Sequence, residues 1–314
     1  MAKHDEPVRQ RVLRVGTRGS ALALAQSGMI AGLVAEKAGA TVELVRIKTE
    51  GDVNSGPLAA IGGTGVFVTA VRAALAEGRV DLIVHSFKDL PTAPAPGLVL
   101  AAVPPREDPS DALCARDELT LGSLPVGARV GTGSPRRTAQ LLAQRPDLRV
   151  LPIRGNVDTR LRMVNDGDLD AVVLAAAGLA RLDRTASITE ILPPTVMLPA
   201  PAQGALAVEC RLDDEDAWYA TALASVDSFK TRAAATAERS LLATLEAGCI
   251  APVGAYATVT DGRLSLAGAV VAVDGTARVF GEAWGAVEDA TAVGRDLAVE
   301  LLARGAGTLL GAAR

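Results

Sequence analysis

Two stretches of this chain read as copies of one another, and they narrow the folds open to it. Arg14-Val-Gly-Thr-Arg-Gly-Ser20 runs into Ala-Leu-Ala-Leu-Ala-Gln26, and Arg129-Val-Gly-Thr-Gly-Ser134 runs into Pro-Arg-Arg-Thr-Ala-Gln140. Each is the end of an apolar strand, a Gly-Thr turn and the start of a helix. A second pair follows in the same order: Gly78-Arg-Val-Asp-Leu-Ile-Val84 and Gly167-Asp-Leu-Asp-Ala-Val-Val173 each set an aspartate before a buried strand. Two pairs in one order favour two related α/β domains, and 314 residues leave room for a third. Ligands in open α/β sheets bind beyond the carboxyl ends of the strands. Two such domains facing each other would line one cleft with their helix-opening loops.

The second copy is the more informative. In Gly131-Thr-Gly-Ser-Pro-Arg-Arg137 the glycines allow a tight turn, Ser134 can cap a helix and Pro135 suits its first position. Free N–H groups and the positive helix end would then face outward beside the guanidiniums of Arg136 and Arg137, a receptor for an anion. The plainer reading is a capped helix with solvated arginines. Strand 80–84 delivers adjacent Lys88 and Asp89 to its carboxyl end, a pair that can bind an anion and move protons, or else a surface ion pair. Arg18, Arg154, Arg160 and Arg181 also fall at loop or helix-start positions, with Asn156 placed to cap the helix that carries Arg160. Guanidinium forks bind carboxylate or phosphate bidentately, so this many in one cleft implies a ligand with several anionic groups. Composition goes no further than a polycarboxylate or polyphosphate.

Other classes are disfavoured. A net charge of −4 does not suit a general nucleic-acid binder. The longest apolar run, 171–180, is too short to span a bilayer. The charged start Met-Ala-Lys-His-Asp-Glu-Pro has no apolar signal core behind it, so a cytoplasmic protein is expected. Three cysteines (114, 210, 249) without a Cys-x-x-Cys, and two histidines, indicate neither a disulfide framework nor a metal site. The loop Gly62-Gly-Thr-Gly65 lacks the Lys-Ser/Thr of a P-loop and is either a flap or a plain helix-start turn. Prolines 94, 96, 104, 105 and 109 mark a crossing into the second domain, and Pro193, Pro194, Pro199 and Pro201 mark the return, with 203–210 as a strand. From about residue 227 a third unit begins. It reads as a helix over 233–247, Cys249 in the following turn, alternating apolar residues over 253–271 and a last helix over 292–304. Cys114 and Cys210 read as buried small hydrophobes, and Cys249 as the exposed one.

At these residues the chain resembles the porphobilinogen deaminase family. The likeness rests on Val15-Gly-Thr-Arg-Gly-Ser20, His85-Ser-Phe-Lys-Asp-Leu-Pro91, Gly131 to Arg137 and Arg154-Gly-Asn-Val-Asp-Thr-Arg160, and on Ala202-Gln-Gly-Ala-Leu-Ala-Val-Glu-Cys210 and Glu246-Ala-Gly-Cys-Ile-Ala-Pro-Val253. They stand in the family's order along about 240 residues. The resemblance implies an α/β fold of two type II periplasmic-binding-protein-like domains facing a cleft, 1–104 with 205–222 and 105–204, plus a small C-terminal α/β domain, 223–314. It implies head-to-tail condensation of four porphobilinogens, with release of ammonia, to give the linear tetrapyrrole hydroxymethylbilane. It further implies a dipyrromethane cofactor held by Cys249 through a thioether. Asp89 would stabilise pyrrole N–H cations, while Lys88, Ser134, Arg136, Arg137 and Arg160 would hold cofactor carboxylates. Arg18, Ser20, Arg154 and Arg181 would hold incoming substrate. No metal, nucleic acid or membrane is implied, and a monomer is expected.

The chain departs from many relatives at Thr64, where they carry a flap lysine, and at Gly133, where they carry a serine. The competing classes are a two-lobed anion-binding module without catalysis and the effector domain of a transcriptional regulator. A covalent dipyrrole in the intact mass separates the enzyme from both.

Overall fold

In the computed structural model, which describes residues 11–48, 66–214, 217–248 and 251–311, the repeat read in the sequence is a repeat of topology. The Gly62-Gly-Thr-Gly65 loop and Cys249 lie outside the described residues. The first set of elements is β1 (Val12–Thr17), α1 (Ala21–Ala38), β2 (Thr41–Arg46), α2 (Val66–Ala76), β3 (Leu82–Ser86) and β4 (Leu98–Ala102). The second set is β5 (Asp111–Ala115), β6 (Arg129–Thr132), α3 (Pro135–Gln144), β7 (Arg149–Pro152), α4 (Val157–Asn165), β8 (Ala171–Ala175), α5 (Ala176–Ala180) and β9 (Glu190–Leu192). β10 (Leu206–Arg211) then returns to the first sheet.

The sheet orders are β2-β1-β3-β10-β4 and β7-β6-β8-β5-β9. With β1–β4 and β6–β9 counted as the four strands of each set, and β10 and β5 as the strands that join the sets, each order runs second, first, third, joining strand, fourth. β10 runs antiparallel to β4, and β5 runs antiparallel to β8 and β9. This is the arrangement expected of type II periplasmic-binding-protein lobes.

One ion pair explains both matched sequence pairs. In the first sheet Asp81, just before β3, accepts from the Arg14 backbone N–H at 2.9 Å and from Arg14 Nη2 at 2.6 Å. In the second, Asp170, just before β8, accepts from the Arg129 backbone N–H at 2.7 Å and from its Nε at 3.2 Å. Each pair ties the start of the first strand to the start of the third, which lie side by side and parallel. The apolar side chains of β5 and β8 alternate between two clusters, Leu113 and Val173 on one face and Ala112, Val172 and Leu174 on the other. Leu141 of α3 joins the first cluster and Leu161 and Val164 of α4 join the second, so this sheet is covered on both faces.

The chain falls into two compact units: Met1–His85, Ala95–Ala102 and Val208–Asp227 in one, and Ser86–Pro94, Val103–Ala207 and Ser228–Arg314 in the other. The first unit also holds α6 (Ala220–Ala224). In the second, α7 (Phe229–Thr244) and α8 (Ala290–Ala303) cover one face of an antiparallel sheet of β11 (Val253–Thr260), β12 (Arg263–Val271) and β13 (Arg278–Ala286). α9 (Ala306–Gly311) ends the described chain. Leu241, Leu266, Leu297 and Leu301 fill that layer. On the other side Ala269 and Val271 pack on Ala139 of α3 and on Leu198.

Two element starts differ from the sequence reading, and one strand was not read there. β10 begins at Leu206 rather than 203, because Ala202 and Gly204 adopt left-handed φ of 62° and 85° and hold 202–205 in a turn. α7 begins at Phe229 rather than 233, since the Ser228 hydroxyl caps it by accepting from Thr231 N–H at 3.3 Å. β13 was hidden by Gly281 and Gly285, which interrupt its apolar alternation because side chains there would strike Leu297 and Val293. Among the described residues no helix is long and apolar enough to cross a membrane.

Candidate functional site

The turn from β6 into α3 forms as the sequence reading expects, with Ser134 in the cap position and Pro135 opening the helix, but its arginines do not face outward. Arg136 and Arg137 are only 3% and 5% exposed. Both turn onto Asp111, the fully buried first residue of β5: Arg136 Nη1 lies 2.8 Å from Oδ2, and Arg137 Nη2 lies 2.7 Å from Oδ1. Arg137 also donates to the Val173 carbonyl at 2.9 Å, and Arg136 to the Leu198 carbonyl at 2.6 Å. Burial opposes ionisation of Asp111, but the two guanidiniums outweigh it and hold its carboxyl well below the usual range. The Arg136 Nε is buried with no hydrogen-bond acceptor among the described residues. Ser134 is half-buried; its hydroxyl makes no cap bond, and its N–H instead donates to Thr132 Oγ1 at 3.2 Å.

β3 leads into a single 3₁₀ turn, Phe87–Asp89, which presents Lys88 half-buried and Asp89 exposed. Arg239 of α7 clamps this turn from behind. It donates to the carbonyls of Phe87, Leu90 and Pro91 at 3.2, 2.8 and 2.6 Å, and its guanidinium lies 4.5 Å over the Phe87 ring. Lys88 Nζ donates to Gln203 Oε1 at 3.1 Å. Its pKa is brought down to about 8, first by burial and then by Arg137, with Asp89 and Asp111 acting in the opposite sense.

Two further arginines extend the positive field. Arg160, on α4 behind its Asn156 cap, donates to the Gly155 carbonyl at 2.9 Å. Burial, then Arg137 and Arg154, lower its pKa, so Arg160 lies in the field of both other guanidiniums. Arg154 is exposed at the end of β7. Arg181 follows α5 and donates to the Gly204 carbonyl at 2.6 Å, next to Gln203. Arg18 and Ser20 belong to the first unit; Ser20 caps α1, its hydroxyl accepting from Ala23 N–H at 3.3 Å.

The sequence reading missed Asp111, Gln203 and Arg239. Asp111 opens the apolar run Asp111-Ala-Leu-Cys114, and a carboxylate leading straight into a fully buried strand was the available signal. Gln203 stands in the matched stretch Ala202 to Cys210, which was a signal, whereas Arg239 carried none.

Lys88, Arg136, Arg137, Arg154 and Arg160 therefore set five cations against two carboxylates, Asp89 and Asp111. With an orphaned buried donor on Arg136, this donor set fits a ligand with several carboxylates. Fold and site thus define an α/β protein with a site rich in cations. Comparison with known proteins makes the class specific. Residues 13–218 match the model of the porphobilinogen deaminase dipyromethane cofactor binding domain, and residues 232–303 match the porphobilinogen deaminase C-terminal domain. The chain is 58% identical to a porphobilinogen deaminase of Nocardia farcinica, covering 95% of this chain and 88% of the relative. It is 55% identical to one of Leifsonia xyli, covering 96% and 95%. The chain belongs to the porphobilinogen deaminase family. Among solved structures the methionine binding protein MetQ is similar at 12% identity and a TM-score of 0.45, over 68% of this chain and 89% of that one.

Proposed function

We propose that this chain is a hydroxymethylbilane synthase. It joins four porphobilinogens head to tail on a dipyrromethane primer and releases ammonia at each condensation. The observation that carries the reading is the arginine pair on buried Asp111, with Lys88 and Arg160 both in the field of Arg137, inside the segment matched to the cofactor binding domain. When bound, the cofactor supplies the pyrrole carbon on which the chain begins. Lys88, Ser134, Arg136, Arg137 and Arg160 hold its carboxylates. Arg18, Ser20, Arg154 and Arg181 take those of incoming porphobilinogen, which bears an acetate and a propionate.

Cys249 forms the thioether. Support comes from the other two cysteines: burial pushes the thiols of Cys114 and Cys210 up to about 12 and about 11, so neither offers a thiolate near neutral pH. Asp89 is the catalytic residue. Its exposed carboxylate stands beside a lysine on a turn held by Arg239, placed to stabilise positive charge on a pyrrole N–H and to take its proton. The protein works as a cytoplasmic monomer.

The test is Asp89→Asn, which keeps size but removes the charge. A charge aimed at a transition state is worth orders of magnitude, so turnover of porphobilinogen should fall at least roughly a hundredfold. Folding and cofactor loading, read by thermal melting and intact mass, should hold. Near-wild-type turnover would remove Asp89 from the catalytic role.

A further inference from the structure

Gln203 is 1% exposed and bridges Lys88 and Asp111. Its Nε2 donates to the Pro109 carbonyl at 2.7 Å and to Asp111 Oδ1 at 2.9 Å, while its Oε1 accepts from Lys88 Nζ at 3.1 Å. These partners leave the amide one orientation. An ammonium can only donate, and a carbonyl or an ionised carboxylate can only accept, so a flipped amide would lose all three bonds. The backbone is equally constrained. Ala202 and Gly204 flank it with left-handed φ of 62° and 85°, and a side chain at Gly204 would collide with the Glu107 carbonyl. Arg106 Nε donates to the Gln203 carbonyl at 2.7 Å, and Arg106 is held in turn by the fully buried Glu238 at 2.7 Å.

We propose that Gln203 is a positioning residue for Lys88: its carboxamide couples the ammonium to the Asp111–Arg136–Arg137 cluster, so that the placement of Lys88 and the state of the arginine clamp are set together. It touches neither reacting atom and acts through its two charged neighbours. The groups facing Lys88 are Arg136 and Arg137 from α3, Asp111 from β5, Asp89 on its own turn, and Gln203. The Gln203 oxygen accepts from the charged form of Lys88 and so favours it, against burial and the two guanidiniums. This role rests on Lys88 being a site residue, as proposed above, but it is measured without turnover. Failure here leaves the catalytic reading standing, and failure of Asp89→Asn leaves this one standing.

The experiment follows the lysine ¹³Cε resonances through an alkaline titration of the purified protein, with cofactor loading matched between samples by intact mass. The sequence has five lysines (3, 37, 48, 88 and 230), and Lys88 is assigned by its loss in Lys88→Arg. Gln203→Met keeps the length of the side chain and removes the acceptor. The Lys88 midpoint, near 8 in the wild type, should fall by about one unit, tenfold in proton affinity. A role in folding alone would leave that midpoint unmoved. A second readout needs no variant at position 203: in the wild type the Gln203 side-chain NH₂ resonances should titrate with the Lys88 midpoint, and in Lys88→Met they should not. An unchanged midpoint in folded Gln203→Met, or a Gln203 amide blind to the titration of Lys88, would overturn the role. If Gln203→Met does not fold, the amide titration decides alone.

Discussion

Glu209 on β10 is the clearest case of one residue whose chemistry is set by its neighbours. Its carboxylate takes two bonds from Arg72, at 2.9 and 2.6 Å, and lies 3.1 Å from His85 Nε2. Burial alone would raise its pKa; the contacts with His85 and Arg72 outweigh that and hold it at about 2 against an ordinary 4.5. The unfolded chain therefore takes up this proton near pH 4.5 and the folded chain only near pH 2, so the stabilisation is complete above 4.5 and is lost as pH falls between those values. The difference corresponds to about 3 kcal/mol. Urea unfolding at neutral pH and at about pH 3 should show Glu209→Gln less stable than the wild type at neutral pH, with a clearly shallower loss on acidification. Parallel losses in the two proteins would show that another group sets the acid limit. The Asp111 cluster follows the same logic with a different end: there the counter-charge gathers two guanidiniums and leaves one of their donors unused.

Among the elements, the first strand of each lobe shows why the repeat was legible. Gly16 in β1 and Gly131 in β6 occupy the same place. A Cβ at Gly16 would stand 2.9 Å from Ile83 and 3.1 Å from Ile47 and Val80, and one at Gly131 2.5 Å from Leu169 and 2.9 Å from Ile153. Close packing under branched side chains demands glycine in both lobes, so Val-Gly-Thr recurs in the sequence. Gly131→Ala should cost about 1–3 kcal/mol by overpacking, and more than Gly16→Ala, because its contacts are shorter. The measurement is the shift in urea midpoint; a neutral Gly131→Ala would mean that Leu169 moves aside freely. What the sequence did not disclose has a physical reason as well. Asp111 and its arginines are 25 residues apart or more, and the ion pair exists only once β5 lies beside β8 and α3 opens over it. The outward-facing arginines expected from the local motif failed for that reason, since a helix start read alone contains no buried acceptor. Gln203 and Arg239 act through carbonyls and an amide, which leave no charge pattern to read.

For the molecule as a whole, two lobes of one topology and a C-terminal sheet carry three cysteines, and their chemistry divides by environment. Cys114 lies in β5 and Cys210 in β10, both buried with raised pKa values, as the apolar residues leading into them foretold. Cys249 falls between α7 and β11, outside the described residues, and its assignment comes from the Glu246-Ala-Gly-Cys249 motif and from the chemistry of the other two. The central claim is that one thiol of this chain, and only that one, carries the primer. Proteolytic digestion of the purified protein and mass spectrometry of the three cysteine-containing peptides test it directly. The expected result is a dipyrromethane adduct on the Cys249 peptide, with Cys114 and Cys210 unmodified. An adduct on either buried cysteine, or an active protein whose Cys249 is bare, would contradict it.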